Sequence, residues 1–138
     1  DGSIVSQIGP GIVALVGLHE QDAEDDLRNM CKRLINCKLW ENESGPWRRS
    51  VKQNDYEIML VSQFTLYGTL SKRHQPDYKR SMKAEPAKVL YQQFVDLVRE
   101  SHDKVQDGVF GAMMDVALVN DGPVTLVIES DPKEQDEE

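Results

Sequence analysis

Short runs of apolar residues, several of them bounded by glycine and proline, recur along the 138-residue chain and predict β-strands. A Gly-Pro-Gly turn signal at residues 9–11 separates the first two runs, and Asp-Gly-Pro at residues 121–123 separates the last two. Residues 41–46 and 68–78 lack such patterns and are predicted to be loops, the second of them basic. The predicted strands occupy residues 4–8, 12–18, 38–40, 56–66, 113–120 and 124–130.

Two further segments place apolar residues at helical spacing. The first spans residues 22–35, has acidic residues in its N-terminal turn, and is predicted to bury Leu27, Met30, Cys31, Leu34 and Ile35. The second begins at Pro86, since proline is favoured in a first turn, and is predicted to bury Ala87, Leu90, Tyr91, Phe94, Leu97 and Val98. Cys31 is therefore interpreted as a core residue and not as a reactive thiol.

The order of these elements predicts the fold class. Strands and helices mixed along a chain of this length indicate a single α/β domain over residues 1–130. We expect a predominantly antiparallel, barrel-like β-sheet with the two α-helices packed on it. Residues 131–138 are acidic and contain no large apolar side chain, so they are predicted to form a disordered tail.

The formal charge of −8 is unevenly distributed along the chain. Residues 48–88 contain nine Lys or Arg side chains and four acidic ones, so this segment is basic although the whole chain is acidic. The segment is either a solvated surface region or a surface that makes brief, salt-sensitive contact with a polyanion such as a nucleic acid. Charge alone leaves both interpretations open.

The remaining composition favours a protein of the reducing cytoplasm. No apolar run approaches the length of a membrane span, and we expect neither a leader peptide nor a membrane partner. Cys31 and Cys37 are predicted to face different directions, so a disulfide is not expected.

Familiar catalytic signatures do not occur in this sequence. It contains no GxSxG elbow, P-loop, dinucleotide-type GxGxxG, CxxC or HExxH spacing. His19, His74 and His102 lie far apart; His74, in the basic loop, is a candidate proton carrier, although exposed loop histidines are common. We therefore expect an enzyme of this sequence to use no metal and no cofactor.

Polar residues interrupt the apolar pattern at two places. In the sequence SQFTL, strand alternation would direct Gln63 and Thr65 to one side of the sheet, where they would require hydrogen-bonding partners. In Asn-Asp-Gly-Pro, Gly122 and Pro123 could present carbonyl oxygens to a ligand, because glycine lacks a Cβ and proline lacks an N–H. An ordinary hairpin turn would explain the second pattern equally well.

Three collinear motifs resemble those of the D-aminoacyl-tRNA deacylases, also called D-tyrosyl-tRNA deacylases. The motifs are SQFTL at residues 62–66, FGAMM at 110–114 and NDGPVT at 120–125, supported by QIGPG at 7–11. Each motif alone would be weak, but their order and spacing together are specific. The similarity extends from Gly2 to Ser130.

The resemblance implies a homodimeric esterase that removes D-amino acids from mischarged tRNA and proofreads chirality in translation. It assigns catalytic roles to Ser62, Gln63, Phe64 and Thr65, and substrate-binding roles to Phe110, Gly111, Met114, Asn120, Gly122 and Pro123. In the family the Gly-Pro peptide is cis and reaches into the partner subunit's site, where main-chain atoms reject L-residues. The 2′-hydroxyl of the terminal ribose is thought to help activate water, so Thr65 would orient groups instead of attacking. The family also begins with a strand carrying Gln-Arg-Val that precedes the first residue here; without that strand we expect lower activity.

Two other function classes remain open. A nucleic-acid-binding module without catalysis would use the same basic segment and would bind tRNA without turnover. A metal-dependent hydrolase would need ligands such as His74, and a chelator would abolish its activity.

Overall fold

The computed structural model describes residues 2–130, which form ten short elements around one hydrophobic core. The strands are β1 (Gly11–Val16), β2 (Lys38–Asn42), β3 (Gly45–Ser50), β4 (Glu57–Ser62), β5 (Thr69–Leu70), β6 (Pro76–Asp77) and β7 (Val105–Asp107). The helices are α1 (Glu24–Asn36), α2 (Ala84–Ser101) and a single-turn 3₁₀ helix, η1 (Phe64–Tyr67).

The central sheet contains three parallel strands in the order β1-β4-β7. Strand β4 lies in the middle, and its Ile58 and Leu60 side chains are fully buried, as expected for a strand covered by other elements. Two smaller antiparallel sheets, β2-β3 and β5-β6, complete the β-structure of the described residues.

Helices α1 and α2 contribute the other half of the core. Their apolar faces enclose a cluster that includes Leu27, Ile35, Phe94, Val95 and Val98. Both helices predicted from periodicity are confirmed, with α2 starting at Ala84, two residues before the predicted start. The predicted core position of Cys31 is also confirmed, and burial raises the pKa of its thiol, so the thiol stays protonated.

The mixed α/β class is confirmed, but the arrangement of strands differs from the expectation. The largest sheet is parallel, since crossovers through helices join β1 to β4 and β4 to β7. Residues 41–46, predicted to be a loop, end β2 and start β3, because the connection is a tight turn of two residues in which Gly45 adopts φ +133°.

Three predicted strands have no counterpart in the structure. Residues 4–8, 113–120 and 124–130 form no regular secondary structure. Their apolar side chains are largely exposed, for example Ile4 at 75%, Val119 at 95% and Val127 at 82%. An apolar pattern produces a strand only where a neighbouring backbone supplies the hydrogen-bonded ladder, and no such neighbour pairs with these segments among residues 2–130.

In the described part of the chain, no helix has the length and apolar character needed to cross a membrane. The predicted acidic tail at residues 131–138 lies outside the described residues.

Candidate functional site

The carboxyl ends of the three parallel strands lie at one edge of the central sheet. Val16, at the end of β1, pairs with Ser62 at the end of β4, and Asp107, at the end of β7, pairs with Leu60. Ligands of open parallel sheets bind outside this edge, where the loops that follow the strands meet. The loops here are residues 63–68 and 108–114, which contain two of the three sequence motifs.

The polar segment after β4 is a 3₁₀ turn and not the continuation of a strand. The Gln63 N–H donates to the Val16 carbonyl at 2.7 Å, and η1 then begins at Phe64. The predicted alternation of Gln63 and Thr65 to one face of a strand is therefore wrong. Instead, the Gln63 amide Nε2 donates to Thr65 Oγ1 at 2.6 Å across the turn. This bond fixes both polar side chains near the carboxyl end of β4.

The turn also leaves two main-chain donors at its start. The first hydrogen bond of η1 runs from the Leu66 N–H to the Gln63 carbonyl at 3.3 Å. The N–H groups of Phe64 and Thr65 precede this bond and so have no partner within the turn. The Phe64 side chain is 57% exposed, and Thr65 is exposed as well, so a ligand can approach this side of the turn.

Residues that sequence reasoning missed hold this turn from behind. The rings of Phe64 and Tyr78 meet edge to face with centroids 5.0 Å apart, and Ser81 Oγ donates to the Phe64 carbonyl at 2.9 Å. On the other side, a Cβ on Gly17 would lie 3.0 Å from Leu66 Cβ, so only glycine fits closely there. These contacts join segments distant in sequence, and the position of Gly17 directly after an apolar run was their one sequence signal.

The loop after β7 is tied to the same strand end by a hydrogen-bonding network. The Leu60 carbonyl accepts from the Gly108 N–H at 3.1 Å and from the buried Tyr91 hydroxyl at 3.1 Å. The Tyr91 hydroxyl also hydrogen-bonds the Asp107 carboxylate. Burial, reinforced by this hydrogen bond, raises the pKa of Tyr91, so its hydroxyl remains a protonated donor throughout the physiological range.

This network supports the residues of the second motif. The half-buried Phe110 ring packs against Tyr91 with centroids 5.8 Å apart. Met114 turns back over the loop, where its Sδ accepts from the Val109 N–H at 3.5 Å. Gly111 adopts φ +74°, a conformation that favours glycine, and is exposed. The loop therefore presents a ring, a thioether and open backbone beside the strand end.

The third motif forms a separate, exposed turn. The Asn120 side chain closes it, since its Nδ2 donates to Thr125 Oγ1 at 2.8 Å and its Oδ1 accepts from the Val124 N–H at 3.3 Å. Gly122 and Pro123 are exposed at the tip, and both hydrogen bonds are internal to the turn. The structure thus brings the first two motifs to one edge and leaves the third apart from them.

The expected cis peptide at Gly122–Pro123 is wrong for this structure, because residues 2–130 contain no cis peptide bond. The trans isomer of an X-Pro bond is intrinsically favoured by about 0.5–1 kcal/mol. A Cβ on Gly122 would meet no atom within 4 Å, so no packing within the described chain opposes that preference.

Other features of the surface lie away from this edge. A cleft of about 300 Å³ lies between α1 and α2, and its lining, which includes Arg28, Cys31 and Ser101, contains none of the predicted site residues. His74, the candidate proton carrier, is exposed at the β5-β6 turn. Across residues 2–130, no group of three or more His, Cys, Asp or Glu side chains is arranged to hold a metal ion.

Comparison with known proteins connects this edge to a family. The family model described as D-Tyr-tRNA(Tyr) deacylase matches residues 1–129, which include all three motifs. The chain belongs to the D-aminoacyl-tRNA deacylase family. The family and the enzyme class expected from the motifs, a hydrolase, are therefore confirmed.

Individual relatives of this deacylase agree with the assignment. A D-aminoacyl-tRNA deacylase of Bacillus velezensis is 42% identical over 94% of this chain and 88% of its own. An inactive D-aminoacyl-tRNA deacylase of Bacillus subtilis is also 42% identical, over 94% of this chain and 98% of its own. Among solved structures, the c-Myc DNA Unwinding Element Binding Protein is 39% identical and superposes with a TM-score of 0.88 over 94% of this chain and 88% of its own.

Proposed function

We propose that this deacylase hydrolyses the ester of D-aminoacyl-tRNA at the carboxyl edge of the central sheet. The observation that carries the proposal is the convergence of the two motif loops on Leu60, whose carbonyl holds both Tyr91 and Gly108. In this arrangement residues 62–65 lie beside the reacting ester. Phe110, Gly111 and Met114 lie where the terminal adenosine would bind, with the Phe110 ring available for stacking.

The N–H groups of Phe64 and Thr65 would stabilise the oxyanion that forms when water attacks the ester carbonyl. Both groups precede the first hydrogen bond of η1, and the turn that presents them is fixed by Ser81 and Tyr78. Preorganised donors of this kind contribute about 2.7–4 kcal/mol each to transition-state stabilisation. Ser62, the last residue of β4, sets the direction in which the turn leaves the sheet.

Thr65 would orient the reacting groups and would not act as the nucleophile. Its hydroxyl accepts a hydrogen bond from an amide, Gln63 Nε2, and an amide cannot remove its proton. A hydroxyl nucleophile requires an adjacent general base. We therefore assign the activation of water to assistance from the substrate's own 2′-hydroxyl, with Thr65 and Gln63 holding the ester and water in position.

Selection of the D-enantiomer would come from Gly122 and Pro123 of a second copy in a homodimer. In each chain the two residues are exposed and flanked by exposed apolar side chains, including Val119 at 95% and Leu126 at 59%. An apolar surface of this kind is typical of an interaction site. Main-chain carbonyls next to the substrate's α-carbon would exclude an L side chain while leaving the D side chain unrestricted. Asn120 would serve to shape this turn.

Replacement of Thr65 tests the substrate-assisted mechanism. We expect Thr65→Ala to lower kcat for D-Tyr-tRNA by about tenfold, the effect of losing one positioning hydrogen bond. Loss of a true nucleophile would cost on the order of 10⁶. The measurement is single-turnover hydrolysis, with Thr65→Ser as the control that keeps the hydroxyl. A folded Thr65→Ala protein with no detectable turnover would overturn the mechanism.

A second candidate function is nucleic-acid binding without turnover. It is favoured by the name of the superposed c-Myc DNA Unwinding Element Binding Protein and by the inactive Bacillus subtilis relative. It would use the basic residues of the middle segment. Equal binding of esterified and uncharged tRNA, with no release of the amino acid, would support this candidate over the deacylase.

We place the protein in the cytoplasm, where a supply of aminoacyl-tRNA is expected. Cys31 and Cys37 are both free, as they would be in a reducing compartment.

A further inference from the structure

A cationic arm follows the turn that carries Phe64 and Thr65. We define the basic arm as residues 69–83, which comprise the β5-β6 hairpin and the connection to α2. It contains five cationic side chains and one acidic residue, Asp77, in a chain whose formal charge is −8. The cationic residues are Lys72, Arg73, Lys79, Arg80 and Lys83. The arm is therefore a local positive region on an acidic protein.

The tip of the basic arm is an ordered turn and presents its charges outward. Ser71 organises it, because its N–H donates to the Gln75 carbonyl at 2.8 Å and its Oγ accepts from the N–H groups of Arg73 and Gln75, both at 3.3 Å. Lys72 and Arg73 are exposed, and neither forms an ion pair with any residue in the described range 2–130. Both charges are thus available to an external anion.

The basic arm is physically joined to the candidate site. Tyr78 packs edge to face on Phe64, and Ser81 Oγ donates to the Phe64 carbonyl at 2.9 Å. Arg80 lies over the Tyr67 ring, 5.9 Å from its centroid. A phosphate held by the arm would therefore have a fixed position relative to the N–H groups of Phe64 and Thr65.

We propose that the basic arm binds the phosphate backbone of the tRNA acceptor end, with Lys72 and Arg73 as its principal contacts; this inference rests on the proposed function. Lysine and arginine contacts to phosphates position a nucleic acid without reading its sequence. The acidic remainder of the chain repels the rest of the polyanion, so the arm directs the tRNA's end to the site. The arm thus supplies affinity for the tRNA, while the residues at the sheet edge act on the ester.

The test compares a double variant of the arm, Lys72→Gln with Arg73→Gln, with the unmodified chain. Each lost phosphate contact reduces the slope of log affinity against log salt by about 0.9. Loss of two contacts should make the rise in Kd for tRNA between about 50 and 200 mM salt roughly tenfold smaller. Fluorescence anisotropy with uncharged tRNA measures this effect independently of catalysis. For hydrolysis, KM for D-Tyr-tRNA should rise by about tenfold at low salt, whereas hydrolysis of D-tyrosyl-adenosine, which has no phosphate, should change by less than about twofold.

The matched control removes two charges elsewhere, as Lys32→Gln with Lys52→Gln in the cleft between α1 and α2. It has the same net charge as the arm variant and should keep the salt dependence of the unmodified chain. Equal weakening in both double variants, or none in the arm variant, would overturn the inference. If the unmodified chain binds tRNA through the arm but cleaves neither ester, the proposed function fails and the arm's role stands.

Discussion

Replacing Gly11 with alanine is expected to reduce the free energy of unfolding by more than about 4 kcal/mol. Gly11 pairs with Glu57 where β1 and β4 begin, and a Cβ there would lie 1.8 Å from the Glu57 carbonyl oxygen and 2.7 Å from its carbon. Both are backbone atoms of the central strand, so a side-chain rotation cannot relieve the overlap. The parallel pairing of β1 with β4 would have to separate at this end. Urea unfolding followed by circular dichroism measures the loss.

Gly9→Ala is the matched control for this prediction. A Cβ at Gly9 would meet only the Glu57 side-chain oxygen Oε1, at 3.5 Å, which is ordinary van der Waals contact. We expect its unfolding free energy to stay within about 1 kcal/mol of the original. Similar stabilities for Gly11→Ala and Gly9→Ala would show that β1 and β4 do not pair in the register described.

Pro123→Ala is expected to lower the ratio of D-Tyr-tRNA to L-Tyr-tRNA hydrolysis by about 100-fold, if the Gly-Pro backbone provides the chiral filter. Proline restricts φ of residue 123 and so fixes the direction of the carbonyls on either side. The hydrogen bonds that close the turn come from Asn120, Val124 and Thr125, and these remain available in the variant. The turn should therefore persist with a more mobile backbone. Measured kcat/KM for the two esters gives the ratio directly.

The control for Pro123→Ala is Pro46→Ala in the β2-β3 hairpin, since Pro46 is an exposed proline in a different element. Its D-over-L ratio should equal that of the unmodified chain. An unchanged ratio in a folded Pro123→Ala protein would place the chiral filter in other residues. Size-exclusion measurements on both variants would show whether the substitution also weakens self-association.

Helices were the part of the fold most accessible from the sequence. The spacing of Leu27, Cys31 and Ile35 on one face, after an acidic first turn, is local information, and α1 forms where it was predicted. The same holds for α2, whose buried face includes Tyr91, Phe94 and Val98.

Strand pairing could not be predicted in the same way. Apolar alternation at residues 113–120 resembles that of a strand, but a strand also requires a partner of suitable register, which the local pattern does not specify. β7 illustrates the opposite case: it is only three residues long, yet it pairs with β4 because Ile58 and Leu60 extend a buried surface that Val105 covers. The parallel direction of the central sheet followed from such long-range contacts.

The candidate site was only partly accessible from the sequence. The motif resemblance identified residues 62–65 and 110–114, and the structure places both segments at one sheet edge. The supporting residues Gly17, Tyr78, Ser81, Tyr91 and Asp107 belong to no motif, because their roles depend on contacts between distant segments. The 3₁₀ turn at Phe64 was also missed, since five mainly apolar residues can continue a strand or leave it with little change in local pattern.

The most direct test of the whole account is the hydrolysis of D-Tyr-tRNA and L-Tyr-tRNA by the unmodified chain in the presence of a metal chelator. We expect kcat/KM to be at least about 100-fold higher for the D-ester, with no loss of rate caused by the chelator. Loss of activity on chelation would indicate a metal-dependent hydrolase. Equal hydrolysis of the two esters, or hydrolysis of neither by a folded protein that binds tRNA, would contradict the proposed chiral deacylase.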